Sequence, residues 1–425
     1  MLARSSEHLL SPDRTWSSWR TGQLLAAALC LCLLTIGVDV AAAAPFPKRG
    51  TEGKQVAAGN ESQTKQTISV GGYEGSHGSW GLQWAQNSPA NDNFASATVL
   101  PGRYGSTAGT SVGSTGEPGE PASDGGAIAD NSVWYTWTPP SGPAVVRLRN
   151  AAGGLDPSFA VYTGTSLTGL TPVVTGTTSA SFFNAFAGTP YRIAVDGHSG
   201  STGTFTLEYI LGDCNGRHAT MFANGGTTNG TAGDDVIVGS TIADTVNGGA
   251  GNDRICTLTG NDTIRGEAGN DQLFSGIGND IMQEDAAPNG RDRLAGDVGA
   301  DTVLYNLRST AINADLSNIT NDDVAAGEFD MIVTAEVIQG GSGNDTMKGN
   351  AARENFRGNA GNDQLLGGAG NDVLHGGPGS DSLFGEAGLD ALTLVDGVSA
   401  NDSGDGGADV DTATQDPGDT VVNVP

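Results

Sequence analysis

The chain has 425 residues, which gives room for two or three domains, and its formal net charge at pH 7 is −28. The charge is uneven, because residues 214–425 carry 33 Asp and Glu against 9 Lys and Arg, whereas residues 45–213 carry 12 against 8. We therefore predict no nucleic-acid partner, since phosphate binding requires clustered cations.

The N-terminus has the pattern of a secretory leader. Arg14 and Arg20 precede a mostly apolar run from Leu24 to Val38, and four alanines follow at residues 41–44. A basic start, an apolar middle and small residues before a cleavage point are typical of a signal peptide. We predict a signal peptide over residues 1–44 and an exported chain, with no stable membrane span once the signal is removed.

Two alternatives to a cleaved leader remain open. An uncleaved anchor would account for Asp39 and the long leader, although an apolar run of fifteen residues is short for a membrane span. Lipid attachment at Cys30 or Cys32 is the weaker idea, because the small residues expected before a lipidated cysteine are missing.

The residue pattern of the sequence changes near residue 89. Residues 45–88 are rich in Gly, Ser, Gln and Thr without a sustained period, which predicts a flexible spacer. Short runs that alternate polar and apolar residues follow, for example Val133 to Trp137 and Thr204 to Tyr209. Several short strands at this spacing predict an antiparallel β-sandwich over residues 89–211.

Six segments of this region resemble the bacterial pre-peptidase C-terminal type of β-sandwich. They are NDNFA (91–95), EPGEP (117–121), SVWYTW (132–137), AVYTG (160–164), YRIAVDG (191–197) and GTFTL (203–207). Domains of this type are accessory modules, so the resemblance implies contact with a cell-surface, glycan or matrix partner. Trp134, Tyr135 and Trp137 could stack on a sugar ring, but their alternation favours a core position for at least one face.

Two cysteines remain after removal of the leader. Cys214 and Cys256 lie in or beside the start of the next region. Because an exported protein meets oxidising conditions, we predict a disulfide between them; two free buried thiols are the alternative.

A nine-residue period, Gly-Gly-x-Gly-x-Asp-x-U-x with U apolar, then dominates the sequence. Clear copies begin at Gly248, Gly340, Gly358, Gly367 and Gly376. We count eight units in a first block (214–304) and six in a second (340–395), each with an apolar residue two places after its acid. A flexible Gly/Asp linker, the alternative, has no reason to keep that apolar residue in phase. The acids are Asp235, Asp244, Asp253, Asp262, Asp271, Asp280, Asp292, Asp301, Asp345, Glu354, Asp363, Asp372, Asp381 and Asp390.

Each residue type in this period suits calcium. Glycine permits turns that direct backbone carbonyls inward, and Ca²⁺ takes six to eight oxygen ligands from carboxylates and carbonyls. Two units make one coil, so Asp253 should share a site with the turn of Asp271, and Asp363 with that of Asp381. The predicted ligands are Asp235, Asp244, Asp253, Asp262, Asp271, Asp280, Asp301, Asp345, Asp363, Asp372, Asp381 and Asp390, with turn glycines Gly249, Gly251, Gly269, Gly341, Gly343, Gly361, Gly368, Gly370, Gly377 and Gly379.

The pattern resembles the RTX (hemolysin-type) calcium-binding repeats. The resemblance implies a right-handed parallel β-roll with several calcium ions between adjacent turns. The expected fold is therefore all-β, an antiparallel β-sandwich followed by this roll. Departures from the pattern weaken individual sites, namely Glu354 in place of Asp, Thr257-Leu258 and Ser275 in place of glycines, and three extra residues before Asp292.

Two segments fall outside the regular period. Residues 305–339 form a predicted insertion with strand-like runs at Ala311 to Leu316 and Met331 to Ile338, around a polar loop at 321–323. Asp330 is either a turn acceptor or part of a solvated loop, and we slightly prefer the solvated loop. Residues 396–425 are predicted to cap the last apolar layer of the stack.

No catalytic motif stands out. The five histidines are dispersed, and neither an HExxH helix nor a GxSxG elbow is present. We predict a secreted, non-catalytic calcium-binding protein. The alternative is a secreted hydrolase that uses Asp130, Asp156 and Asp196 in the sandwich, and a weaker one treats the repeats as an export signal.

Charge repulsion should couple folding to the metal. The acidic repeat region opposes a compact state, and calcium would relieve that repulsion while it cross-links the turns. Folding and calcium binding are then one event.

Overall fold

A computed structural model describes residues 88–121, 131–177, 179–317 and 328–424 of the chain, and the backbone of two short paired strands, β1 (Ile68–Val70) and β2 (Trp80–Leu82). The predicted signal peptide, most of the predicted spacer, Asp130 and the 321–323 loop lie outside the described residues. None of the helices in the described part is long and apolar enough to span a membrane.

Alternating strands between residues 98 and 211 form two sheets. One has the order β3-β5-β10-β7-β8 and the other β4-β11-β6-β9, with antiparallel pairing except between β3 and β5. Short 3-10 turns lie at Phe94–Ser96, Leu167–Gly169 and His198–Gly200. The strands are β3 (Thr98–Leu100), β4 (Tyr104–Thr110), β5 (Val133–Trp137), β6 (Gly142–Ala152), β7 (Pro157–Thr163), β8 (Thr171–Thr177), β9 (Ala180–Ala185), β10 (Tyr191–Gly197) and β11 (Thr204–Leu211).

Strand β5 is buried on both faces. Tyr135 and Trp137 point into the core between the sheets, where they pack with Ile193 and Leu207. Trp134 points the other way, into a second apolar cluster with Tyr162. The three rings are 2 % exposed or less, so the suggestion that they stack on a sugar is wrong.

Parallel strands follow the sandwich and form a β-roll of about 11 turns. After a hairpin of β12 (Asp213–Cys214) and β13 (Arg217–His218), successive strands alternate between two faces, and each pairs with the strand one coil later. In regular coils the register is 18 residues, as in Val246 opposite Ile264. This arrangement confirms the predicted all-β order of sandwich and parallel roll.

One face of the roll is continuous and the other is divided into two sheets. The ten-stranded face contains β15 (Gly226–Asn229), β17 (Asp244–Ala250), β19 (Thr263–Ala268), β21 (Ile281–Gln283), β23 (Thr302–Leu304), β26 (Val337–Gln339), β28 (Asn355–Arg357), β30 (Val373–His375), β32 (Ala391–Leu394) and β34 (Thr412–Gln415). The first six-stranded sheet contains β14 (Met221–Phe222), β16 (Val236–Val238), β18 (Arg254–Cys256), β20 (Gln272–Phe274), β22 (Arg293–Ala295) and β25 (Met331–Val333). The second contains β24 (Asn313–Asp315), β27 (Thr346–Lys348), β29 (Gln364–Ala369), β31 (Ser382–Ala387), β33 (Ser403–Asp405) and β35 (Thr420–Val422).

The interior of the roll is one apolar residue deep on each face. The apolar positions two places after the acids are at most 2 % exposed, and they join one continuous cluster. Burial of each of these apolar side chains stabilises the fold by about 1.5–3 kcal/mol. They are Ile237, Val246, Ile255, Ile264, Leu273, Met282, Leu294, Val303, Met347, Phe356, Leu365, Leu374, Leu383 and Leu392.

The stack extends beyond the two predicted blocks. Strands β24, β25 and β26 come from the predicted insertion, and β33, β34 and β35 come from the predicted cap. All of these strands except β24, which follows Ile312, keep an acid-x-small or acid-x-apolar triplet, as in Asp330-Met331-Ile332, although the glycines before the acid are lost or the spacing changes. The triplet is sufficient for a rung because strand pairing and burial depend on these three residues.

The sandwich is packed against the first coils of the roll. Val145 and Ile210 of the sandwich share an apolar cluster with Cys214 and Val238, and Phe222 packs on that cluster. A disulfide joins Cys214 and Cys256, whose Cα atoms are 5.6 Å apart.

A buried carboxylate reinforces this junction. Glu208 of β11 is fully buried, and it accepts a hydrogen bond from the Thr241 N–H of the roll at 2.8 Å. Arg149 pairs with the same carboxylate at 2.9 Å, and Arg147 at 3.3 Å.

Candidate metal centre

The repeat acids form ladders along the roll, each acid immediately before a strand or at its first residue. Oδ1 of each acid in a regular coil accepts a hydrogen bond from the backbone N–H of the acid one coil earlier. The Asp253 N–H donates to Asp271 Oδ1 at 2.7 Å, and the Asp363 N–H donates to Asp381 Oδ1 at 2.8 Å. The two pairs expected to share a site are therefore adjacent rungs.

Three ladders exist among the described residues, one for each sheet. The first consists of Asp235, Asp253, Asp271, Asp292 and Asp330. The second consists of Asp244, Asp262, Asp280, Asp301, Glu336, Glu354, Asp372, Asp390 and Asp411. The third consists of Asp345, Asp363, Asp381, Asp402 and Asp419.

Four members of these ladders were missed by sequence reasoning, and a fifth, Asp330, was only the less favoured alternative. Asp330, Glu336, Asp402, Asp411 and Asp419 do not fit the nine-residue spacing, although most of them keep an apolar residue two places later. Asp330 is fully buried and its Oδ1 accepts the Asp292 N–H at 2.8 Å, so the favoured solvated-loop interpretation is wrong and the turn-acceptor interpretation is right.

The second carboxylate oxygen distinguishes these acids from ordinary turn acceptors. In many rungs Oδ2 is buried and accepts no hydrogen bond from any described residue. An unsatisfied buried polar atom costs about 1–3 kcal/mol, and more if it is charged. A bound cation would satisfy each of these oxygens. They include Oδ2 of Asp253, Asp271, Asp292, Asp301, Asp363, Asp381 and Asp390.

Glycines leave room for an ion beside these oxygens. A Cβ atom on Gly358 would lie 2.2 Å from Asp363 Oδ2 and 2.7 Å from the carbonyl oxygen of Gly376. The space that glycine keeps open is therefore bordered by one carboxylate and one carbonyl oxygen, the ligand types that Ca²⁺ prefers. These residues fit a calcium ion.

Other glycines are needed for the shape of the turn. Gly269 has a φ of +150°, and a Cβ atom there would lie 1.5 Å from the Gly251 carbonyl oxygen of the coil before. The remaining predicted glycines also lie in the stacked turns, at Gly249, Gly251, Gly341, Gly343, Gly361, Gly368, Gly370, Gly377 and Gly379.

Burial gives the carboxylates unusual proton affinity. Desolvation raises the pKa of Asp262, Asp292, Asp301 and Asp381 to about 7, and neighbouring acids add to the shift. Desolvation likewise raises the pKa of Asp271 to about 6. A compact stack without metal therefore favours protonated acids, whereas a divalent cation would favour the ionised form.

The departures from the pattern have visible consequences. The Thr257 hydroxyl donates to the Ser275 carbonyl oxygen at 2.8 Å, and the Ser275 hydroxyl donates to the Gly296 carbonyl oxygen at 2.7 Å. These hydroxyls use carbonyl oxygens that a cation would need. At Glu354, desolvation and Asp372 raise the pKa to about 8.

Two of the carboxylates considered for hydrolysis, Asp156 and Asp196, lie within the described residues. Asp196 is buried, and its Oδ1 accepts hydrogen bonds from the N–H groups of Gly197 at 2.7 Å and Asn131 at 3.3 Å. Asp156 is exposed, and its backbone contacts the turn at Ser201. Asp196 thus acts as a backbone acceptor.

Comparison with known proteins agrees with the geometry of the ladders. Residues 229–258, 257–282, 334–365 and 357–392 match the family described as RTX calcium-binding nonapeptide repeat, in four copies. A search of curated proteins found no match. The matched segments cover regular rungs of the three ladders, including Asp253, Asp271, Asp363 and Asp381.

Proposed function

Since residues 229–282 and 334–392 are RTX calcium-binding repeats, which bind Ca²⁺, we propose that this chain is a secreted, non-catalytic protein whose repeat array folds on binding extracellular calcium. The observation that carries the proposal is the series of buried Oδ2 atoms that accept no hydrogen bond within the described residues. Calcium would be held by these oxygens and by turn carbonyl oxygens, such as that of Gly376 beside Asp363.

Electrostatics support coupling between folding and calcium. The region 214–425 carries 33 acidic residues against 9 basic ones, and the structure stacks many of these acids in rows. A row of buried carboxylates is stable when each is protonated or bound to a cation. At neutral pH and millimolar calcium, the second route supplies the stabilisation.

Export is supported by two features. The sequence begins with the pattern of a signal peptide, and the disulfide between Cys214 and Cys256 is a bond that persists in oxidising compartments. Extracellular calcium modules bind their ion with dissociation constants of roughly 10⁻⁴–10⁻³ M, which suits a protein that meets calcium outside the cell.

The sandwich is proposed to contact a surface, glycan or matrix partner, as its resemblance to accessory modules implies. The contact would use side chains other than Trp134, Tyr135 and Trp137, which are core residues. Phe182 and Phe186 are more than half exposed on this domain and offer apolar contact area.

Circular dichroism of the secreted chain tests the proposal. We expect the β signal to increase as Ca²⁺ rises to millimolar concentrations and to be lost on chelation, while Mg²⁺, which demands a rigid octahedron of ligands, has a much smaller effect. The same spectrum with calcium and with chelator would contradict it.

A further inference from the structure

One coil of the roll is assembled from separate parts of the chain. Two separate segments, 305–312 and 328–330, lie next to the turn at residues 284–292 in the stack. A regular turn has a single segment in that place. The Glu284 N–H donates to the Leu304 carbonyl oxygen at 2.9 Å, next to the turn at 305–312. At the other end, the Asn289 N–H donates to Glu328 Oε1 at 3.0 Å and the Asp292 N–H to Asp330 Oδ1 at 2.8 Å.

A buried arginine joins these parts. Arg308 is 1 % exposed, and its Nη2 donates to Glu328 Oε1 at 2.7 Å while Nη1 donates to Glu328 Oε2. Its Nε donates to the backbone carbonyl oxygen of Asp285, and Nη2 lies 3.6 Å from Glu284 Oε2. The guanidinium thus contacts Glu284 and Glu328, two members of a cluster of three buried carboxylates that Asp330 completes, with oxygens within 4.8 Å of one another.

This turn departs from the regular units in the position that matters for calcium. A regular unit has its acid immediately before the strand, but the turn at 305–312 has Ile312 there, whose N–H donates to Asp345 Oδ1 at 3.0 Å. The turn therefore contributes no carboxylate from that position. It contributes a cation from residue 308, which contacts a turn carbonyl oxygen and carboxylate oxygens, the groups that contact the ion in a calcium turn.

We propose that the Arg308 guanidinium takes the place of a calcium ion at this coil. Guanidinium stays protonated in proteins, and its planar donors match a carboxylate fork, so the charge is present at any calcium concentration. The coil then closes without metal and joins the two repeat blocks. This inference rests on the proposed function, because it concerns one exception within an array of calcium turns.

Counting calcium ions per folded chain tests the inference. Native mass spectrometry of the full secreted chain at saturating calcium would compare wild type with Glu284→Gln and Asp381→Asn. We expect Glu284→Gln to keep the wild-type number of ions and Asp381→Asn to lose at least one. If Glu284→Gln loses one ion, the cluster holds calcium and the inference is overturned.

Arg308→Gln provides the complementary test. Removal of the guanidinium leaves Glu284, Glu328 and Asp330 without their cation, so we expect one additional calcium ion per chain. We also expect the calcium concentration at the folding midpoint to rise, because the loss of one partner of a buried ion pair is strongly destabilising. An unchanged ion count with an unchanged midpoint would overturn the inference.

Two further outcomes have defined meanings. If Arg308→Gln does not fold, the ion count of Glu284→Gln decides the question in either direction. If the wild-type chain binds no calcium and its spectrum ignores the ion, the proposed function fails. Calcium binding by the wild type together with an ion lost in Glu284→Gln would reject only the role of Arg308.

Discussion

The two carboxylate oxygens of a ladder acid have separate roles. In Asp271, Oδ1 accepts the Asp253 N–H at 2.7 Å, whereas Oδ2 is buried without a hydrogen bond from any residue in the described ranges. An amide can replace the first oxygen but not the second, because its NH₂ group is a donor. A change from Asp to Asn can therefore keep the hydrogen bond of the ladder while it removes a ligand for the cation.

Asp271→Asn is therefore expected to lose calcium while it keeps the rung. The bound ions should fall by at least one per chain, and the calcium concentration at the folding midpoint should rise severalfold. Isothermal titration calorimetry and circular dichroism measure these quantities. Asp156→Asn, a change of the same chemistry at an exposed residue of the sandwich, is the control and should leave both values unchanged.

Gly269→Ala addresses the turn rather than the ligand. Its Cβ would lie 1.5 Å from the Gly251 carbonyl oxygen at a φ of +150°, so the coil must open to admit it. We expect the free energy of unfolding in calcium to fall by more than about 1 kcal/mol. Gly233→Ala, whose Cβ would meet no atom within 4 Å among the described residues, should change it by less than about 0.5 kcal/mol. Equal effects in urea unfolding would contradict this account of the turn.

At the scale of strands, each coil depends on one apolar residue per face. Leu374 of β30 is fully buried, whereas Leu389 is 58 % exposed on a turn of the same region. We expect Leu374→Ala to reduce the free energy of unfolding by about 2–5 kcal/mol and Leu389→Ala to have little effect. Urea unfolding of both variants at saturating calcium makes the comparison. A similar cost for the two would mean that the interior does not stabilise the stack.

The sequence was sufficient to predict strands wherever the nine-residue count held. It failed where the turn changed length, as between Val333 and Val337, where three residues replace the usual six. Pairing is a long-range property, so no local pattern could show that Glu328 and Asp330 would return beside Asn289 and Asp292. The acid-x-apolar triplet, counted without its glycines, was the signal that could have located Asp330, Glu336 and Asp419.

For the whole molecule, pH and calcium should act against each other. The pKa of several ladder acids is about 7 in the compact chain, against about 4 for an unfolded Asp. The folded chain then binds more protons than the unfolded chain between these values. Without calcium, the resulting stabilisation is complete below about pH 4 and is lost as pH rises through 7.

Calcium must displace those protons, so its apparent affinity should increase with pH. We expect a higher calcium concentration at the folding midpoint at pH 5.5 than at pH 8, and more residual β signal in chelator at pH 5.5. Circular dichroism titrations at the two pH values measure both effects. Identical midpoints would show that protons and calcium do not share the same oxygens.

Because each coil of the roll is held by its immediate neighbours, tension on the C-terminus meets one coil at a time. Strands pair at 18 residues in regular coils, so each rupture would release about 60 Å of extended chain at roughly 3.4 Å per residue. The Cys214–Cys256 bond, with a sequence separation of 42, sets a stop to this unravelling beside the sandwich. Unravelling from the C-terminal side would therefore have a covalent end point.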